Sequence, residues 1–129
     1  MRRKRFTDAV VLLLVCSLAL LAHGDGITKR IRFAKGKFSA TVSGAVIRGD
    51  RDTYILSARG GQTMTVRIKS AENNAVFQIK DPDGTFLQNA GEADDARSIT
   101  VDLPFNGDYR IIVGGARGNA SYSLTVTIR

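Results

Sequence analysis

The amino-acid sequence predicts an all-β protein, an antiparallel jelly-roll-like β-sandwich of about eight strands that follows a cleaved signal peptide. Three observations predict this fold class. Apolar and polar residues alternate with a period of two along most of the chain after residue 25, as in half-buried strands. Turn-forming pairs such as Gly60-Gly61 and Asn106-Gly107 separate the alternating runs. No stretch of useful length shows the 3.6-residue period of an amphipathic helix.

Four strands are predicted in the first half of the domain. The first surrounds residues 31–33, and the next three span residues 41–47, 53–58 and 63–69. In each run every second residue is apolar or small, which assigns one face to the core. The inward residues are, in order, Ile31 and Phe33; Val42, Gly44 and Val46; Tyr54, Leu56 and Ala58; and Met64, Val66 and Ile68.

Four more strands are predicted in the second half, over residues 75–80, 98–103, 109–113 and 121–128. Their inward residues are Phe77 and Ile79; Ile99, Val101 and Leu103; Tyr109, Ile111 and Val113; and Tyr122, Leu124, Val126 and Ile128. The three tyrosines of the chain fall on inward positions, which favours core packing over a sugar-stacking surface. Residues 89–96 and 114–120 break the alternation and are predicted to be loops.

Residues 1–24 have the features of a secretory signal peptide. Arg-Arg-Lys-Arg at residues 2–5 forms a positive start, residues 9–22 form an almost unbroken apolar run, and small residues at Ala22 and Gly24 suit cleavage after Gly24. The alternative is a membrane anchor, but a spanning helix needs about 20 apolar residues and this run is shorter. We therefore predict export to the periplasm or beyond, no stable membrane anchor after cleavage, and a single β-sandwich domain at residues 25–129.

The composition of the exported part argues against most catalytic chemistry. Cys16 and His23, the only cysteine and histidine, both lie in the predicted signal peptide. Cys-His and Ser-His-Asp sites and the usual zinc sites are therefore excluded from the exported domain. We predict no enzyme, no catalytic residues, no metal and no cofactor.

The remaining charge pattern points to protein or polymer partners rather than to nucleic acid. Residues 25–129 contain 15 Lys/Arg and 11 Asp/Glu, a mild positive balance that favours anionic partners. No basic run with interleaved aromatic residues is present, so nucleic acid is not a predicted partner. Asp81-Pro82-Asp83-Gly84 is a turn sequence rather than a calcium loop, and the acidic residues at 92–95 are predicted to be solvated.

Several segments together resemble a known family. They are Arg32-Phe-Ala-Lys-Gly-Lys, Thr41-Val-Ser-Gly-Ala-Val-Ile-Arg-Gly, Asp52-Thr-Tyr, Gly61-Gln-Thr-Met-Thr-Val, Asp81-Pro-Asp-Gly, Leu103-Pro-Phe-Asn-Gly-Asp-Tyr-Arg-Ile and Tyr122-Ser-Leu-Thr-Val. Their order and spacing resemble the bacterial pre-peptidase C-terminal domain, a non-catalytic jelly-roll. They are also similar to the periplasmic inhibitors of g-type lysozyme, and the resemblance covers nearly all of residues 25–129.

The resemblance to the inhibitors implies a site in two loops. In that family, loops at one end of the sandwich insert basic side chains into the acidic cleft of lysozyme. Arg117 and Asn119 lie in the last loop between strands, and Arg48, Asp50 and Arg51 lie in the loop before Asp52. A guanidinium on a protruding loop can pair bidentately with a carboxylate of such a cleft.

The predicted function is therefore inhibition of a lysozyme, of the g-type by resemblance, through occlusion of its cleft. The predicted partner is lysozyme or another protein with an acidic cleft. The alternative from a different class is a non-catalytic module that binds carbohydrate of the cell envelope. A third possibility is an accessory domain without a tight partner.

Overall fold

The structure is a computed structural model, and it describes residues 26–129. The predicted signal peptide, residues 1–24, lies outside the described residues. Eight strands are present in the described part. They are β1 (Thr28–Arg30), β2 (Ser39–Val46), β3 (Asp52–Ala58), β4 (Thr63–Ser70), β5 (Ala75–Lys80), β6 (Ser98–Asp102), β7 (Gly107–Gly115) and β8 (Ala120–Ile128).

These strands form a sandwich of two four-stranded sheets. Sheet A has the order β1-β3-β7-β5, and sheet B has the order β2-β8-β4-β6. All of the strand pairs are antiparallel except that between β1 and β3. The predicted all-β, jelly-roll-like sandwich is confirmed. No helix in residues 26–129 is long and apolar enough to cross a bilayer.

The first strand differs from its prediction in position and direction. It ends at Arg30, before the predicted residues Ile31 and Phe33, and it runs parallel to β3 with Thr28 opposite Thr53. All three of its residues are exposed, so its sequence carries no alternating signal. Ile31 and Phe33 still contribute to the core, because they follow β1 directly and turn inward.

In the other strands, the alternation of apolar and polar residues matches the alternation of buried and accessible residues. In β3 and β8 alternate residues are buried between the sheets while the residues between them are at least partly accessible. Tyr54, Tyr109 and Tyr122 expose 1%, 0% and 4% of their surface, which confirms their predicted core role. Burying a large apolar side chain contributes about 1.5–3 kcal/mol, so this single core carries most of the fold's stability.

The polar segment after β5 covers the open edge of that strand. Residues 81–84 form the predicted turn, in which the Gly84 N–H bonds to the Asp81 carbonyl at 2.9 Å and Gly84 has a φ of +85°. The chain then returns along β5, and Ala90 and Ala96 accept hydrogen bonds from Ile79 and Phe77. This pairing protects an edge that would otherwise expose unpaired backbone groups.

Candidate functional site

Three connections between strands lie together at one end of the sandwich, which we call the loop end. They are residues 47–51 between β2 and β3, 71–74 between β4 and β5, and 116–119 between β7 and β8. The strand registers bring them together, because Val46 pairs with Ala120 and Ala75 pairs with Gly115. The structure therefore places all of the predicted site residues at the same end. These are Arg48, Asp50, Arg51, Arg117 and Asn119.

Asn119 ties the three connections to one another. Its side-chain oxygen accepts a hydrogen bond from the Arg48 main-chain N–H at 2.7 Å. Its main-chain carbonyl accepts one from the side-chain amide of Asn74, also at 2.7 Å. Asn74 is buried, and its carbonyl accepts the N–H of Ala116 at 2.7 Å. Asn119 was predicted as a partner-binding residue, and in the structure it holds the loops in place.

Arg117 projects from the tightest of the three connections. The turn depends on two glycines, because a side chain on Gly115 would collide with the carbonyl of Gly118, and Gly118 has a φ of +79°. The exposed guanidinium donates one hydrogen bond, 3.2 Å long, to the main-chain carbonyl of Glu72. Arginine has five N–H donors, so this contact orients the side chain and leaves most of its donors available.

Arg51 lies against the end of the neighbouring strand. A side chain on Gly114 would collide with its guanidinium, so the glycine creates the space in which that group rests. Arg51 itself is exposed. Within the described residues its side chain takes part in no ion pair, because the one ion pair there joins Arg30 and Asp108.

The loop end combines positive charge with apolar surface. Arg48 and Arg51 flank a tight turn in which the Asp50 N–H bonds to the Ile47 carbonyl at 2.9 Å. The side chain of Ile47 is 63% exposed beside them. An open depression of about 280 Å³ lies between Ile47 and Asn119. Guanidinium groups around an exposed aliphatic residue suit a carboxylate-bearing protein surface better than a small enclosed ligand.

A buried polar network supports this end from inside the core. The Tyr122 hydroxyl donates to one Asp52 carboxylate oxygen at 2.7 Å and lies 2.6 Å from the Tyr54 hydroxyl. The other Asp52 oxygen accepts the N–H of Ile27 at 3.0 Å. The Tyr122 ring has room because Gly44, opposite it on β2, has no side chain. The two tyrosine rings meet edge to face at 6.4 Å.

The network fixes the base of the β2–β3 connection. Asp52 is 2% exposed and directly follows Arg51, so its hydrogen bonds hold the point from which that arginine projects. Burial, followed by the hydrogen bonds to Asp52 and Tyr54, raises the pKa of Tyr122 well above its ordinary 10.0. Burial also raises the pKa of Tyr54. Both phenols therefore stay protonated and available as donors at neutral pH.

Ile47, Asp52 and Asn74 contribute to this end and were not predicted as site residues. Asp52 carries a detectable signal, since it shares the inward register of Tyr54 and Leu56 and a charged residue there requires buried partners. Asn74 carries none, because its partner Asn119 lies 45 residues away in the chain.

The acidic loop, residues 91–95, contains a local hydrogen bond. The Asp94 carboxylate accepts the N–H of Gly91 at 2.7 Å, three residues earlier. Among residues 26–129 no three His, Cys, Asp or Glu side chains are grouped so as to hold a metal ion.

Comparison with known proteins identifies similar structures. No protein-family model and no curated protein sequence matches this chain. Among solved structures, PliG from Aeromonas hydrophila, a periplasmic inhibitor of g-type lysozyme, is similar with 33% identity and a TM-score of 0.68. The match covers 81% of this chain and 99% of that one.

Two further solved structures are similar to this chain. PliG from Salmonella Typhimurium, also a periplasmic inhibitor of g-type lysozyme, is similar with 27% identity and a TM-score of 0.64, over 81% of this chain and 99% of that one. The pre-peptidase C-terminal domain of a Bacillus anthracis collagenase shares 17% identity with a TM-score of 0.59, over 78% of this chain and 94% of that one. The latter likeness concerns the fold alone.

Proposed function

The chain belongs to the family of periplasmic inhibitors of g-type lysozyme, and we propose that it inhibits such an enzyme by occluding its active-site cleft. The loop end is the part that enters the cleft. The protein acts by binding and performs no catalysis of its own. The predicted signal peptide supports export of this protein. The similar inhibitors are periplasmic, which supports a periplasmic location for this protein.

The observation that carries the proposal is the joining of the arginine-bearing connections by Asn119. Its two hydrogen bonds, both 2.7 Å, join the connection that carries Arg117 to the connection that carries Arg48 and Arg51 and to Asn74 in the connection between β4 and β5. A binding surface that is ordered before contact loses less conformational entropy on association. The loop end is thus prepared to present three guanidinium groups as a unit.

The chemistry of a lysozyme cleft complements these groups. Glycoside hydrolases of this kind carry an essential carboxylic acid in a cleft that binds a polysaccharide. Arginine pairs with carboxylates through two parallel hydrogen bonds, and exclusion of water strengthens such a pair. Arg117 is the central contact in this proposal, with Arg51 and Arg48 beside it and Ile47 supplying apolar contact.

The experiment is a lysis assay with two types of lysozyme. The purified exported domain is titrated into a g-type lysozyme acting on bacterial cells, and in parallel into a c-type lysozyme. We expect loss of g-type activity near a one-to-one ratio. Full activity of every lysozyme tested, at a large excess of the domain, would contradict the proposal.

A second candidate function rests on the outer face of sheet B. Four threonines and two arginines line an open depression of about 370 Å³ there, namely Thr63, Thr65, Thr125, Thr127, Arg67 and Arg129. Hydroxyl groups pair across the strands, as between Thr65 and Thr100 at 3.1 Å. An open, hydroxyl-rich depression suits an envelope polysaccharide. Co-sedimentation with insoluble peptidoglycan that is lost in Thr65→Val would support this candidate.

A further inference from the structure

The net charge of the domain is concentrated in one short segment. Residues 26–129 contain 15 Lys/Arg and 10 Asp/Glu, and the segment 29–37 contains five Lys/Arg and no acidic residue. The rest of the described domain is therefore balanced, with ten basic and ten acidic residues. We call residues 29–38 the basic segment. Its basic residues are Lys29, Arg30, Arg32, Lys35 and Lys37.

The basic segment is exposed and carries almost no compensating charge. All five basic residues are exposed to solvent. Arg30 forms an ion pair with Asp108 at 2.7 Å, and this is the one ion pair among the described residues. Four cations of the segment therefore remain without a carboxylate partner within residues 26–129, which leaves a strongly positive surface.

The basic segment leads away from the loop end. It begins beside β3, where Arg30 lies opposite Ile55, and it crosses from sheet A to sheet B. It ends where the Phe38 carbonyl accepts the N–H of Ile128, at the far end of β8. A turn at residues 34–37 is closed by the Lys37 N–H and the Ala34 carbonyl at 2.9 Å. The segment is thus ordered by hydrogen bonds and separate from the proposed inhibitory site.

Exposed aromatic rings accompany these charges. Phe38 exposes 62% of its surface directly after Lys37. Phe105, in the connection between β6 and β7, exposes 46% at the same end of the sandwich. They are the two aromatic residues among the four large apolar side chains that residues 26–129 leave exposed. Cations beside exposed aromatic rings are the combination that binds the headgroup region of anionic bilayers.

We propose that the basic segment docks the protein on the surface of a bilayer that contains anionic phospholipid, with Phe38 inserted at the interface. Charge complementarity selects this partner, and the exposed ring favours a lipid surface over a soluble polyanion. Docking through this end leaves the loop end directed away from the bilayer.

The test is co-sedimentation with vesicles of equal parts phosphatidylglycerol and phosphatidylcholine, compared with vesicles of phosphatidylcholine alone. We expect binding only to the former and its loss at high salt. The variant Lys35→Gln/Lys37→Gln should lower the partition coefficient about 25-fold, since each cation near an anionic surface contributes about 5-fold. Phe38→Ala should lower it about 10-fold.

A matched control removes the same charge elsewhere. Arg67 and Lys69 lie on the exposed outer face of sheet B. The variant Arg67→Gln/Lys69→Gln should bind the anionic vesicles nearly as well as the wild type. Equal losses in the two double variants would show that net charge alone drives binding and would overturn the proposal. Absence of binding to the anionic vesicles, or wild-type binding by Phe38→Ala, would also overturn it. Lysozyme inhibition by Lys35→Gln/Lys37→Gln should be unchanged, so this test is independent of the proposed function.

Discussion

Removing the Tyr122 hydroxyl tests the network beneath the loop end. Tyr122→Phe keeps the ring that packs over Gly44 and deletes only the oxygen atom. That oxygen bonds to the Asp52 carboxylate at 2.7 Å and to the Tyr54 hydroxyl at 2.6 Å. The side chain is 4% exposed, so water cannot replace the lost partner freely.

The expected cost follows from the two lost bonds. A hydrogen bond to a charged group contributes about 1.5–3 kcal/mol, and one between neutral groups about 0.5–1.5 kcal/mol. Tyr122→Phe should therefore lower the free energy of unfolding by about 2–4 kcal/mol. That is a large part of the 5–15 kcal/mol typical of a domain. The loss falls at the base of the β2–β3 connection, so the variant should also inhibit lysozyme less well.

Urea unfolding followed by circular dichroism measures this change. Ser123→Ala, on the outward face of the same strand, is the matched control and should stay within about 0.5 kcal/mol of the wild type. A double-mutant cycle with Tyr54→Phe should give a coupling of about 1 kcal/mol. A Tyr122→Phe protein as stable as Ser123→Ala, or a cycle with additive costs, would refute the reasoning.

Three further predictions follow from the same contacts. Asn119→Ala removes the acceptor of a 2.7 Å hydrogen bond that joins two loops, so it should weaken lysozyme inhibition about 5-fold. The midpoint of urea unfolding should change little. Undiminished inhibition by this variant would contradict the prediction. The Arg30 guanidinium beside Asp108 lowers the pKa of that carboxyl from its ordinary 3.8 to about 2, so the stability it contributes is present above pH 3.8 and is lost as the pH falls towards 2. Asp108→Asn should therefore flatten the pH dependence of urea unfolding in that window, and an unchanged profile would count against the ion pair. A Cβ on Gly44 would lie 2.6 Å from the Tyr122 hydroxyl oxygen, so Gly44→Ala should destabilise the fold by about 1–3 kcal/mol in thermal unfolding, and wild-type stability would show that the ring can move aside.

The sheets were predictable because their signal is local. Met64, Val66 and Ile68 alternate with polar residues, and the strand that contains them is half-buried as the pattern requires. The exposed strand Thr28–Arg30 was not predictable in this way, because no residue in it faces the core. Its parallel partner also lies 25 residues away, so no neighbouring turn sequence marks the pairing.

The family resemblance implied that the connections carrying Arg51 and Arg117 share one end of the sandwich, and strand assignment alone did not predict it. Simple alternation of antiparallel strands would place these two connections at opposite ends. They share one end because residues 81–97 return along β5 before β6 begins. The bond between Arg48 and Asn119 spans 71 residues, and that between Asp52 and Tyr122 spans 70. Such contacts depend on the three-dimensional register and leave no periodic trace in the sequence.

The inhibition constant of Arg117→Ala against a g-type lysozyme tests the central claim most directly. The account predicts inhibition about 10-fold or more weaker than that of the wild-type domain, as for an arginine at the centre of an interface. Arg110→Ala, which removes an exposed arginine from β7 away from the loop end, should inhibit like the wild type. Equal inhibition by the wild type and Arg117→Ala would contradict the claim that the loop end occludes the cleft.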